Sequence, residues 1–290
     1  MDNLLLNRLY LHSDIKEHVF GVQIKKDIPY LEAGTSVRTF DVFSPDNAKD
    51  PLPMIVNIHC EGFVRENIGY DDNFCAYLAS KGFCVFSVKL TAASFNSYRS
   101  LVEDVTDAFI KIGQTASLYN ADTENAFLCA DSVGANLALV SLCINQSLLL
   151  KSIYKFENYS LSFKAIGLSS PVTELSFIKN NPLYSGIKKA LFGDSIKENP
   201  YSVCSSLKEV YENAAKLPPV YMVSSVDDPM NSQSLSFSSF LRKRNIRFKF
   251  RYCEKGEYHK LSHAFNVLFP EYPESVNINT EMTEFFKSFI

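Results

Sequence analysis

Short apolar runs of strand-like character alternate with helix-like segments along most of this chain, and this alternation restricts the fold more than any other feature. The strand-like runs lie at 53–60, 83–90, 125–130, 163–171, 219–226 and 246–254. Helical spacing of apolar residues is found at 72–82, 99–116, 133–149, 232–245 and 280–290. Strands joined by helices favour a mostly parallel sheet that is covered by helices on both faces.

Two regions depart from this alternation. The runs 22–31 and 36–45 alternate polar and apolar residues on either side of a short turn, which predicts a β-hairpin. Residues 172–217 are rich in Asn, Ser, Lys and Tyr and hold only short helix-like pieces, which predicts a cap or lid inserted over the sheet edge. We expect 1–290 to form one domain, with 1–35 as an N-terminal extension that contains the first strand region.

The charge balance argues against nucleic acid as a partner. The chain has 29 Lys and Arg against 32 Asp and Glu, which gives a formal net charge of −3. Without a basic excess it lacks the attraction that holds a phosphate backbone. No apolar stretch reaches the roughly eighteen residues that cross a bilayer, so no membrane span is predicted. The sequence makes no prediction of oligomeric state.

The N-terminus and the cysteines indicate a cytoplasmic protein. The first apolar run is interrupted by Asn7 and Arg8 and precedes no small-residue cleavage site, so no signal peptide is predicted. The chain has seven cysteines, an odd number, and no CxxC pair; Cys84, Cys129 and Cys143 lie in apolar runs. These cysteines are predicted to be reduced packing residues.

The stretch FLCADSVGANLALV, residues 127–140, places Ser132 where a buried strand turns into a helix. Ala130 and Gly134 flank this serine, and small residues there let a strand and a helix approach each other around a sharp turn. The pattern corresponds to a G-x-S-x-G nucleophile elbow with Ala in the first Gly position. The alternative is that Ser132 only caps the helix, a position for which serine is preferred.

A serine nucleophile needs a base and an acid that orients the base, and in the fold that carries such an elbow the chain order is serine, acid, histidine. Only two of the five histidines follow Ser132, namely His259 and His263, and both come after the last strand-like run. Asp227 and Asp228 directly follow the run 219–226, although an Asp pair before a proline is also typical of a turn. The required order is therefore present, which favours a serine hydrolase.

The loop after the first buried strand is the expected source of an oxyanion hole, together with the amide after the nucleophile. This loop begins His59-Cys60-Glu61-Gly62. We expect His59 to be a structural residue that holds the loop and not a catalytic group. A carboxylate close to a developing oxyanion would oppose it, so the Glu61 side chain is expected to point away or to be paired with a cation.

These motifs resemble the bacterial esterase/lipase branch of the α/β-hydrolases, which is related to the hormone-sensitive-lipase-like carboxylesterases. The resemblance covers residues 36–290 and rests on IHCEGF, YLASKGFCVFSV, LVEDVTDAF, ADSVGANLAL, LSSPVTEL, PVYMVSSVDDP and HKLSHAFNVLFP. It implies an α/β-hydrolase fold with a mostly parallel central sheet, helices on both faces and a small helical cap. By this likeness Ser132 is the nucleophile, Asp228 the acid and His263 the base. The backbone N–H donors of the oxyanion hole correspond to Glu61, Gly62 and Val133.

The leading hypothesis from the sequence is hydrolysis of carboxylic esters with small or medium acyl chains, through an acyl-enzyme. The partner is then a small-molecule ester, and neither a metal nor an organic cofactor is required. Two alternatives stay open. Cys60 and Glu61 stand where the family usually has glycines, which favours a non-catalytic, ligand-binding relative. A peptidase or amidase would use the same acyl-enzyme chemistry on the same scaffold.

Overall fold

The computed structural model describes residues 21–33, 36–46, 48–60, 69–90, 97–156, 158–175, 191, 199–212, 216–257 and 259–290. These residues contain an eight-stranded sheet with the strand order β1-β2-β4-β3-β5-β6-β7-β8. The strands are β1 (Val22–Ala33), β2 (Ser36–Pro45), β3 (Leu52–Ile58), β4 (Cys84–Val88), β5 (Ala121–Asp131), β6 (Ala165–Ser169), β7 (Val220–Ser225) and β8 (Phe248–Cys253).

The sheet is antiparallel at one edge and parallel elsewhere. β1 pairs with β2, and β2 with β4, in antiparallel fashion. From β4 through β3 to β8 every pairing is parallel. Both the mostly parallel sheet and the N-terminal hairpin predicted from the sequence are confirmed. The parallel part sets the carboxyl ends of β3, β5, β6, β7 and β8 along one edge, where open sheets of this kind bind ligands.

Helices follow the strands as the spacing predicts. They are α1 (Asp72–Ser80), α2 (Tyr98–Thr115), α3 (Ser132–Ile144), α4 (Leu148–Tyr154), α5 (Leu207–Glu212), α6 (Asn231–Lys243), α7 (Phe265–Leu268) and α8 (Pro273–Lys287). Two 3-10 helices, Ala116–Tyr119 and Pro200–Ser205, lie among them.

The core lies on both faces of the sheet. Val56 of β3 points into a cluster with Phe109 of α2 and Leu137 of α3. Its neighbour Ile55 points into a second cluster, with Met282 of α8 among its members. Because side chains alternate along a strand, a strand that is apolar at every position is buried on both faces. Each fully buried large side chain contributes about 1.5–3 kcal/mol.

Two helix boundaries differ from the sequence prediction. The predicted helix 133–149 is wrong as one segment, because it is divided into α3 and α4. Asn145 ends α3 and exchanges hydrogen bonds with the backbone of Tyr159, and the Ser147 hydroxyl accepts the Leu150 N–H to start α4. α8 begins at Pro273, seven residues earlier than predicted, since proline is well tolerated in the first helical turn.

The domain boundaries proposed from the sequence stay predictions. Of the predicted cap 172–217, the described parts include the 3-10 helix Pro200–Ser205 and α5, whereas 176–190, 192–198 and 213–215 lie outside the described residues. Residues 1–20 also lie outside them. Within the described ranges, no single helix has the length and apolar composition to cross a membrane; α3 and α4 pass that test only as a pair bent by 106°.

Candidate active site

The strand-to-helix turn at Ser132 is sharp. β5 ends at Asp131 and α3 begins at the next residue, with no loop between them. The turn is made by the Ser132 backbone itself, which has φ 51°, a left-handed value that is unusual outside glycine. A strained backbone conformation of this kind persists only where the surrounding structure holds it in place. In such a turn the side chain projects above the end of the sheet.

Gly134 lets this turn approach the neighbouring strand. A Cβ at this glycine would lie 2.4 Å from the carbonyl oxygen of Ile58 and 3.1 Å from the amide nitrogen of Cys60. The small residue therefore serves the contact between α3 and the end of β3, the strand that leads into the expected oxyanion loop. The sequence predicted a close approach here but not the partner strand.

His263 joins the hydroxyl and the acid. Its Nε2 lies 2.9 Å from Ser132 Oγ, and its Nδ1 lies 2.8 Å from Asp228 Oδ1. A carboxylate only accepts, so Nδ1 donates to Asp228 and Nε2 is left to accept the serine proton. The structure thus brings Ser132, His263 and Asp228 together in one chain of hydrogen bonds.

Asp228 is held rigidly. It is 1% exposed, and its carboxylate accepts the Met230 N–H at 2.8 Å and the Ser224 hydroxyl at 3.2 Å. Burial raises the pKa of Asp228, but the hydrogen bond and charge of His263, with further donors, outweigh it, and the net pKa is lowered. Its neighbour Asp227 is only partly buried, in the turn after β7. The geometry therefore places Asp228, the residue that the resemblance favoured, and not Asp227, against His263.

The two candidate histidines, His259 and His263, also lie in different environments. His259 is exposed, and its ring stacks on Tyr272 with 3.9 Å between centroids. His263 carries a side chain that is 24% exposed at the carboxyl edge of the sheet. Only His263 of this pair contacts Ser132 and Asp228 in the structure.

Of the three residues predicted to donate to the oxyanion, the structure describes Val133. Val133 is buried in the first turn of α3, where backbone N–H groups have no acceptor inside the helix. Glu61 and Gly62 lie outside the described residues, and their roles stay predictions.

His59 contacts Asp131 instead of the serine. Its Nδ1 lies 2.9 Å from both carboxylate oxygens of Asp131, and both residues are almost fully buried. Asp131 directly precedes Ser132, so the pair links the end of β3 to the start of α3, as expected of a histidine that holds the loop. Asp131 was not singled out as a partner from the sequence, although its place beside Ser132 was the available signal.

Comparison with known proteins assigns the chain to a family. The BD-FAE family model matches residues 40–241. The chain belongs to the BD-FAE family. The matched range holds Ser132 and Asp228 and ends before His263, so the histidine is placed by the fold and not by the family match. The predicted α/β-hydrolase fold and the resemblance to its esterase/lipase side are confirmed.

Relatives of this BD-FAE member share its fold at low identity. Esterase B from Lactobacillus rhamnosis, in a complex with a tributyrin phosphonate, has a TM-score of 0.84 at 22% identity, covering 93% of this chain and 86% of that one. An esterase from Pyrobaculum calidifontis has a TM-score of 0.70 at 20% identity, covering 98% and 89%. A protein of Acanthamoeba polyphaga mimivirus, provisionally named an alpha/beta hydrolase, is 20% identical over 213 residues; this chain spans 61% of its length.

Proposed function

We propose that this BD-FAE member is a serine hydrolase that cleaves carboxylic esters with small or medium acyl chains. The observation that carries the proposal is the chain of hydrogen bonds from Ser132 through His263 to Asp228. A hydroxyl alone is a weak nucleophile, and a histidine that accepts its proton makes it reactive.

Each residue then has one part in acylation. Ser132 Oγ attacks the ester carbonyl while His263 Nε2 takes its proton. Asp228 holds the imidazole in the tautomer that leaves Nε2 free to accept, and it stabilises the imidazolium that forms. The N–H of Val133 donates to the oxyanion, together with the proposed donors Glu61 and Gly62.

The second half of the reaction uses the same groups. His263 returns the proton to the departing alcohol, and the acyl group stays on Ser132. A water molecule then attacks the acyl carbonyl and gives its proton to His263, which passes it to Ser132 as the acid leaves. This cycle returns Ser132 and His263 to their starting states, and it requires only the protein groups and water.

Two further observations support the proposed ester hydrolase, and a third supports a cytoplasmic location. The solved structures with similar folds include esterases, and one of them carries a phosphonate inhibitor. The pKa of Asp228 is lowered, so the acid is ionised at neutral pH, as the base requires. All seven cysteines are free thiols, six of them buried, which supports the proposed cytoplasmic location.

The test is covalent labelling with a fluorophosphonate probe, followed by turnover of p-nitrophenyl butyrate and the matching anilide. We expect the wild type to be labelled and to hydrolyse the ester, and Ser132→Ala to do neither. Ser141→Ala is the matched control, since it removes a buried hydroxyl of the same helix that bonds only the Val102 carbonyl. Absence of labelling in the wild type would favour a ligand-binding protein, and turnover of the anilide alone would favour a peptidase or amidase.

A further inference from the structure

The turn after β6 contacts two of the three parts of the site directly. The Val172 N–H donates to the backbone carbonyl of Ser132 at 2.9 Å. The Ser170 hydroxyl accepts the N–H of Ala264, the residue next to His263, at 2.9 Å. Two residues of one turn therefore fix the position of the nucleophile and of the segment that carries the base.

Ser170 adopts a backbone conformation that costs free energy. It has φ 46°, in the left-handed region, is 1% exposed, and donates its own N–H to the Val223 carbonyl at 2.8 Å. A side chain with a Cβ is disfavoured there, and glycine would adopt the same angles more easily. A serine at such a position indicates that the hydroxyl is needed.

Strand register places Ser170 near the acid: Ser169 pairs with Val223, so Ser170 follows beside Ser224, whose hydroxyl donates to Asp228 at 3.2 Å. A serine oxygen can accept one hydrogen bond and still donate its proton to another group. The Ser170 hydroxyl is among the donors that lower the pKa of Asp228. Ser170 thus bonds the backbone beside the base and neighbours Ser224, the residue whose hydroxyl bonds the acid.

We propose that Ser170 is a positioning residue, whose hydroxyl holds the His263 segment in place relative to Asp228 by accepting the Ala264 N–H. The inference rests on the proposed function, since it assigns Ser170 a part in the same triad. It predicts that loss of the hydroxyl alters the imidazole–carboxylate contact even where the fold is intact.

The decisive variants are Ser170→Ala and Ser170→Gly. Both remove the hydroxyl, but glycine also relieves the left-handed strain, so their melting temperatures should differ while their activities fall together. We expect kcat for p-nitrophenyl butyrate to drop roughly threefold to tenfold in both, the range that corresponds to one neutral hydrogen bond, with KM changed little. If Ser170→Gly keeps wild-type kcat, the hydroxyl is not needed and the proposal is wrong.

Ser169→Ala is the matched control. Ser169 is the preceding residue, is equally buried, and accepts a hydrogen bond from Asn266, a contact outside the triad. Its substitution should leave kcat within about twofold of wild type, because it removes a neutral hydrogen bond remote from the reacting atoms. An equal fall in Ser169→Ala and Ser170→Ala would mean that general loosening, and not the triad contact, lowers the activity.

A spectroscopic readout makes the test independent of turnover. The downfield proton resonance of His263 Nδ1–H, assigned by its loss in His263→Gln, should shift in both Ser170 variants and stay in place in Ser169→Ala. An unchanged resonance in the Ser170 variants would overturn the proposal whether or not the protein hydrolyses esters. A wild type that fails labelling with the fluorophosphonate would instead overturn the proposed function, and the resonance would still decide the part of Ser170.

Discussion

Gly134→Ala tests how the elbow is fitted against the rest of the sheet. The added Cβ would lie 2.4 Å from the Ile58 carbonyl oxygen, a backbone atom that cannot rotate away. Strand β3 or helix α3 must then move by roughly half an ångström, which costs about 1–3 kcal/mol by overpacking. Alanine returns at most about 1 kcal/mol of helix propensity. We expect a net loss of about 1–2 kcal/mol, or a melting temperature lower by roughly 2–6 °C.

The same movement should reduce activity more than stability. The contact reaches Ile58 and Cys60, which lead into the loop proposed to supply the oxyanion N–H groups. Removing one oxyanion donor typically lowers kcat about a hundredfold to a thousandfold. We expect a donor that is only misplaced to lower kcat at least about tenfold.

The assay pairs a thermal melt with steady-state turnover of p-nitrophenyl butyrate. Gly113→Ala, in the interior of α2, is the control, because its Cβ would lie 3.3 Å from the Leu161 Cβ, a milder overlap that a shift of a few tenths of an ångström relieves. A Gly134→Ala protein with wild-type melting temperature and turnover would refute the reasoning.

Three further predictions concern single ionisable residues. His263→Ala should lose several decades of kcat and His259→Ala should stay near wild type, as measured in one ester assay; the reverse result would show that His259 is the base. Asp228→Asn should likewise lower kcat by several decades through the wrong imidazole tautomer, and a larger loss in Asp227→Asn would reverse the pair. Burial, then the charges of neighbouring acids, raises the pKa of Asp107 from 3.8 to about 6. Its ionisation therefore destabilises the folded state as the pH rises between these values, and Asp107→Asn should add roughly 1–2 kcal/mol above pH 6 and little below pH 4, as measured by denaturant unfolding. An equal gain at both pH values would contradict this assignment.

Much of the candidate site is predictable from the sequence because its residues follow one another along the chain in a fixed order. The elbow is a local pattern, and the acid and base follow it in a fixed order at the ends of strands. The choice of Asp228 over Asp227 came only from the resemblance. In the structure burial separates them, since the first faces His263 beneath the surface and the second lies in the turn.

The contacts of His59 with Asp131 and of Ser170 with Ala264 could not be predicted from the sequence, because they depend on strand register. Ile58 pairs with Ala130, so the next residues, His59 and Asp131, come together at the carboxyl ends of β3 and β5. Ser169 pairs with Val223 in the same manner, which brings Ser170 next to Ser224, the residue whose hydroxyl bonds Asp228. A sequence does not reveal which strands are neighbours, and therefore the partners of these side chains stayed hidden.

The order of strands from β5 to β8 means that the hydrogen bonds joining Ser132, His263 and Asp228 require the completed sheet. Ser132 and His263 are 131 residues apart, and they meet only once β5, β6, β7 and β8 have paired in sequence. Closing such long segments costs chain entropy before any contact repays it, so distant parallel pairings form slowly. During refolding we expect the helical circular-dichroism signal to return first. Fluorophosphonate reactivity should return last and report the docking of β8.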